Sequence, residues 1–154
     1  MELKNLEYVV FDLETTGLNA NEGEEIIEIG AVKVKNGEII ETFDELIKPS
    51  KEIPLNITEI TGITNEMVND KRNEKDVLIT FLNWAEGATL VAHNANFDLS
   101  FVKMGILKYN LNKLNFDVID TLGISRFLTP SEKYHNLTCL MQRYDVLWDE
   151  DKHH

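Results

Sequence analysis

Two acids one residue apart, Asp12 and Glu14, stand where the chain offers the clearest chemistry. They close a short apolar run, Tyr8-Val9-Val10-Phe11, which reads as a buried strand. Side chains alternate along a strand, so both carboxylates point to one face, with Cα atoms about 6.6 Å apart at a rise of about 3.3 Å per residue. Paired carboxylates at the end of a buried strand repel one another and resist desolvation, unless a cation lies between them. Oxygen donors alone suit Mg²⁺ or Mn²⁺ rather than zinc. Two such ions about 3.5–4 Å apart are the arrangement that hydrolyses phosphodiesters. Thr15-Thr16-Gly17 follows at once. It is a tight turn with hydroxyls and exposed N–H groups, suited to a phosphate or a sugar. The alternative for the bare pair is a strand end with two solvated acids.

The surrounding pattern predicts what must hold these residues. Strands are expected over residues 7–14, 26–34 and 38–47, the last two joined at the turn signal Asn36-Gly37. Short links make these three an antiparallel meander. Pro49 and Pro54 mark a loop, and short helices follow over 56–61, closed by Gly62, and 64–68, capped by Thr64. Residues 69–75 read as a surface connection. Residues 76–86 read as an amphipathic helix burying Val77, Phe81, Leu82, Trp84 and Ala85. A fourth strand, 88–92, leads into His93-Asn94-Ala95-Asn96-Phe97-Asp98 and a helix from about 96 to 109, which Asn94 or Asn96 can cap. Phe97, Phe101, Met104 and Leu107 or Lys108 fall at helical spacing on it. Asp98 then lies in a helical first turn, where the dipole favours an anion. A fifth strand is expected over 116–121, a short helix to 127, and a last helix over 136–144. Strands first, then helix–strand alternation, indicate one α/β domain with a mixed sheet flanked by helices.

Composition narrows the function classes. The 154 residues suffice for one cored domain, with no internal repeat or linker. No apolar run approaches the roughly 18 residues of a membrane span, and no signal peptide is expected from the opening residues. One cysteine, Cys139, precludes an internal disulfide, so a cytoplasmic setting without membrane partners is expected. A formal charge of −12 argues against a processive stand-alone nucleic-acid binder, yet an acidic site is what a metal-dependent nuclease requires. Asp120 is expected to order the turn after it, and His93, His135 and Cys139 to be structural. Phe97 and Phe101 are read as core, with Phe97 also able to reach a substrate.

Phe11-Asp12-Leu13-Glu14-Thr15-Thr16-Gly17 resembles the first motif of the DEDDh 3′–5′ exonuclease superfamily, and residues 93–98 resemble its second. That superfamily includes the proofreading epsilon subunit and the exonuclease domain of PolC-type bacterial DNA polymerase III. Ile60-Thr61-Gly62-Ile63-Thr64, Val118-Ile119-Asp120-Thr121-Leu122 and Tyr134-His135-Asn136-Leu137 are similar to further segments, so the resemblance covers essentially the whole chain. It implies an RNase H-like fold and a two-metal 3′–5′ exonuclease that releases nucleoside 5′-monophosphates from DNA 3′ ends. Asp12, Glu14 and Asp98 would hold two Mg²⁺ or Mn²⁺ ions, and His154 would be the general base. Thr15, Thr16, Gly17, Ile60, Thr61, Asn94 and Phe97 would contact the terminal nucleotide. The implied partners are a single-stranded DNA or RNA 3′ end and a DNA polymerase or replisome subunit.

The family also needs an acid about five residues after its histidine, and this sequence stops at His153-His154. The expected reading is an exonuclease domain, 1–154, lacking its last helix and therefore impaired; a tag remnant is the alternative. Met1, close to the first strand, suggests a free-standing start. An RNA-trimming exoribonuclease of the same superfamily and a non-catalytic docking module remain open. A haloacid-dehalogenase-type phosphatase, which also starts from a strand-end acid pair, is disfavoured by Glu14 and by the match at 93–98.

Overall fold

In the computed structural model, which describes residues 6–112, 116–128, 131 and 133, five strands form one mixed sheet in the order β3-β2-β1-β4-β5. The strands are β1 (Glu7–Thr15), β2 (Ile26–Lys35), β3 (Glu38–Leu46), β4 (Thr89–Ala92) and β5 (Val118–Asp120). β1–β2 and β2–β3 pair antiparallel, which is the expected meander. β1–β4 and β4–β5 pair parallel. The helices are α1 (Leu55–Thr61), α2 (Asn65–Val68), α3 (Glu74–Ala85), α4 (Ala95–Lys108) and α5 (Thr121–Leu128). Among the described residues no helix is long and apolar enough to cross a membrane.

Alternation along β1 divides the sheet into two faces. Val9, Phe11, Leu13 and Thr15 are buried, whereas Val10 and Asp12 are exposed. The buried face packs on α3 and α4, where Phe81 lies 5.7 Å from Phe11 and 5.5 Å from Phe43, ring centre to ring centre. A smaller cluster of Ile27, Ile53, Ile63 and Val68 seats α1 and α2 beside the start of β2. At the β2–β3 turn, Asn36 and Gly37 both take positive φ (55° and 76°), the pair that a tight hairpin of native twist demands.

Three sequence expectations need correction. Residues 69–75 are not wholly a surface connection: α3 begins at Glu74, and Glu74 is buried. The Asn73 side chain caps this helix by accepting from the Asp76 N–H at 2.9 Å. Asn94 stands at the cap position of α4 but takes φ 60°, and its side chain makes no capping bond. Leu107 is exposed, so the apolar side of α4 ends earlier than its spacing suggests. The Thr64 cap on α2 and the Gly62 stop to α1 are as expected. The expected helix over 136–144, with His135, Cys139 and His154, lies outside the described residues.

Candidate active site

The acids of β1 lie on the open face of the sheet, and the strand register sets what surrounds them. Glu14 is opposite Glu28 on β2, and Asp12 is opposite Gly30, which in turn faces Asp44 on β3. Carboxyl-bearing positions thus form a band across three strands, with space above Gly30, where an added Cβ would meet nothing within 4 Å. Asp98 reaches the same place from the first turn of α4. It is 2% exposed, and the Leu13 N–H, between Asp12 and Glu14 in sequence, donates to its carboxylate. That bond ties the helix start to the strand end.

The acids perturb one another. Burial pushes Asp98 up to about 8, and the charge of Asp12 adds to it, with a smaller push from Glu14; the Leu13 N–H works the other way. Burial and then Asp12 raise Glu14 to about 7. Glu28 rises to about 8 through burial and the neighbouring Asp44, then Glu14 and Asp12. Asp12, Glu14 and Asp98 therefore act on one another across 86 residues of chain. Glu28 and Asp44, which sequence reasoning missed, share the same field. The available signal was an acid inside the apolar run Ile26-Ile27-Glu28-Ile29.

This donor set fits a hard divalent cation. Asp98 Oδ1 is buried and has no hydrogen-bond partner among the described residues, a costly state for a carboxylate oxygen. A cation beside it would satisfy that oxygen and favour the ionised forms of Asp98 and Glu14. As they stand, no three acid, histidine or cysteine side chains among the described residues close into a metal cage. Asp12, Glu14 and Asp98 share a field rather than a completed shell.

Beyond Glu14 the register with β2 shifts, and the chain turns. The Thr15 hydroxyl donates to the Gly17 carbonyl at 2.6 Å. The Thr16 N–H donates to the Glu25 carbonyl (2.8 Å), and the Glu25 N–H donates back to Thr16 Oγ1 (2.9 Å). Thr16 Oγ1 itself donates to Glu24 Oε2 at 2.6 Å. The turn is thus stitched to residues 24–25, and a Cβ on Gly17 would run into the Glu24 carboxyl group.

Ile60 is 74% exposed at the end of α1, whereas Thr61 is buried, its hydroxyl donating to the Ile57 carbonyl and accepting from the Ile63 N–H. Asn94 is exposed, and its N–H donates to Asp120 Oδ1, which also takes the Leu122 N–H, so Asp120 orders the turn as expected. Phe97, one residue before Asp98, is partly buried against Phe101 at 5.2 Å. His93 Nδ1 lies 3.0 Å from Thr121 Oγ1. With Asp12, Gly30 and Val91 it lines a largely apolar groove of about 470 Å³ on the open face. His154 lies outside the described residues.

The family model described as Exonuclease matches residues 9–154. The chain is 45% identical over 139 residues to a PolC-type DNA polymerase III of Bacillus cereus, covering 90% of the chain and 10% of that protein. It is 49% identical over 140 residues to the PolC-type DNA polymerase III of Caldanaerobacter subterraneus, covering 91% and 10%. The chain therefore spans about a tenth of the length of these curated relatives. Among solved structures, exonuclease X in complex with 5′ overhanging duplex DNA matches with a TM-score of 0.71 at 27% identity, over 92% of this chain and 75% of that one. A product-bound exonuclease I matches with a TM-score of 0.81 at 14% identity, over 95% of this chain and 40% of that one. The fold is thus RNase H-like: a mixed five-stranded sheet flanked by helices.

Proposed function

The chain belongs to the exonuclease family, and from that premise we propose that it is a metal-dependent 3′–5′ exonuclease acting on DNA 3′ ends, working with or within a bacterial replicative polymerase in the cytoplasm. The observation that carries this reading is Asp98, a buried acid with an unpartnered oxygen, set in the field of Asp12 and Glu14.

Asp12, Glu14 and Asp98 would hold two Mg²⁺ or Mn²⁺ ions. When bound, such an ion pair supplies the charge that activates a water and stabilises the departing 3′ oxygen. The chain's own residues do the rest. The stitched turn Thr15–Gly17 offers a fixed backbone edge for the terminal nucleotide, close to the acids. Ile60 and Phe97 would offer apolar surface for its base and Asn94 would border it, while buried Thr61 holds the end of α1 through its bonds to Ile57 and Ile63. A water oxygen attacks phosphorus, the bond from phosphorus to the 3′ oxygen breaks, and His154 takes the proton that the water gives up. The products are a nucleoside 5′-monophosphate and a strand shortened by one unit.

The test pairs metal binding with polarity. Mn²⁺ binding, followed by electron paramagnetic resonance, should weaken at least tenfold in Asp98→Asn. A 3′-labelled DNA oligonucleotide should release its label as a mononucleotide before a 5′-labelled one shortens to the end; a matched RNA oligonucleotide reports the sugar preference. Undiminished Mn²⁺ affinity in the variant, or release of the 5′ label first, would overturn the proposal.

A further inference from the structure

A second hollow, of about 540 Å³, has on its wall Ser50 and Glu25, the residue to which Thr16 of the turn is bonded. Two stretches distant in sequence build its rim. Lys48 leaves β3 and runs parallel beside Asn73, its N–H donating to the Arg72 carbonyl at 2.9 Å. That pairing sets Lys48 next to Lys71, Arg72 and Lys75 around the mouth. All four are exposed. A protein with 27 acids and only 15 basic residues has thus gathered four cations at one opening.

The acids on the floor are already committed. Glu74, 6% exposed, accepts from the Ile26 N–H and from the Tyr109 hydroxyl, both at 2.7 Å. Glu25, 5% exposed, accepts from the Ser50 N–H at 2.9 Å. Lys108 Nζ stands 3.7 Å from Glu25 and 3.9 Å from Glu74. At the mouth, Lys71 approaches Asp70 (3.9 Å) and Arg72 approaches Glu45 (3.6 Å), both exposed contacts of little strength. Lys48 and Lys75 enter no ion pair among the described residues, and Asp76 is the one exposed acid that lines the hollow. The field at the opening is therefore set by cations above buried, hydrogen-bonded acids.

We propose that this hollow binds backbone phosphates of the single strand upstream of the nucleotide being removed, with Lys48 and Lys75 as the main contacts. The inference rests on the exonuclease reading and adds a track for the substrate. Continuity supports it: Thr16 at the turn and Glu25 on the hollow's wall are joined by two backbone-anchored hydrogen bonds, at 2.8 and 2.9 Å. It also accounts for how so acidic a chain could retain a polyanion.

The test compares fluorescein-labelled oligothymidylates of three and twelve nucleotides, bound with Ca²⁺ in place of Mg²⁺, by fluorescence anisotropy. Losing two phosphate contacts on a single strand should lower the slope of log affinity against log salt by about 1.4, or about 25-fold in affinity at 0.1 M salt. That loss is expected for the dodecamer in Lys48→Ala/Lys75→Ala, with the trimer unaffected; Lys48→Gln/Lys75→Gln, which keeps most of each stem, should behave alike. An unchanged dodecamer affinity, or an equal loss on both lengths, overturns the proposal. So does an oligoglutamate peptide of equal charge that displaces the dodecamer as well as unlabelled oligothymidylate does, since it would point to an acidic protein partner. Hydrolysis of the trimer by the unsubstituted chain in Mg²⁺ reports on the exonuclease reading separately.

Discussion

Replacing Asp98 by Asn should stabilise the metal-free protein at alkaline pH while removing its use for a cation. In the folded chain Asp98 titrates at about 8, against an ordinary value of 3.8. Between those two pH values the folded state holds a proton that the unfolded state has released. Stability therefore falls as pH climbs through that window and levels off above it. Between pH 5 and pH 8 one group displaced this far costs up to about 4 kcal/mol at about 1.4 kcal/mol per tenfold change in proton activity. Shared titration with Glu14 reduces what one substitution recovers. A gain of about 1–3 kcal/mol at pH 8 is therefore expected, or a rise in Tm of roughly 3–10 °C for a domain of this size. Asn can keep the acceptor for the Leu13 N–H and nearly the same volume, so no cavity opposes the gain. The assay is a set of thermal melts at pH 5, 6.5 and 8 in chelator, repeated with Mn²⁺. The parent should lose Tm with rising pH in chelator and regain it with Mn²⁺; Asp98→Asn should show a shallower pH slope and a smaller Mn²⁺ response. Parallel pH profiles for the two proteins in chelator, or equal gains with Mn²⁺, would refute the argument that repulsion among these acids is what a cation relieves.

Other substitutions probe the surroundings. Glu28→Gln should also raise Tm at pH 8 in chelator and leave it nearly unchanged at pH 4, because burial and Asp44 hold Glu28 at about 8 in the folded chain; equal effects at both pH values would contradict this. Glu74→Ala should destabilise by about 2–4 kcal/mol in urea titrations, since it strips buried partners from the Ile26 N–H and the Tyr109 hydroxyl. Gly17→Ala should force Glu24 away from Thr16 Oγ1, costing about 1 kcal/mol of stability and raising KM more than it lowers kcat, because the turn rather than the acids is disturbed.

How much of this site could be read from the chain depends on how far each residue's partners lie in sequence. Asp12 and Glu14 were legible as a same-face pair because strand alternation is local; Asp98 is locally no more than an acid in a helical first turn, and its link to that pair comes from the resemblance at residues 93–98. Thr64, Gly62 and the Asn36-Gly37 turn were legible from local signals. Glu28 was not: its position opposite Glu14 is set by a β1–β2 register reached through residues 16–25 and a short 3-10 turn at Ala20–Glu22. No two-residue hairpin rule fixes that register. Glu74 sits in a polar run that looks like surface, because its donors, Ile26 and Tyr109, lie 48 and 35 residues away. A buried carboxylate with distant donors has the local signature of an exposed one. The same holds for Lys48, which reads as one more lysine in a loop until the backbone pairing with residues 72–73 sets it among three other cations. Local periodicity therefore identifies residues that act within their own element, whereas charges whose field is created by cross-strand register or by loop pairing become visible only once the chain has folded. In an acidic protein those residues decide where a cation can be held and where a polyanion can approach.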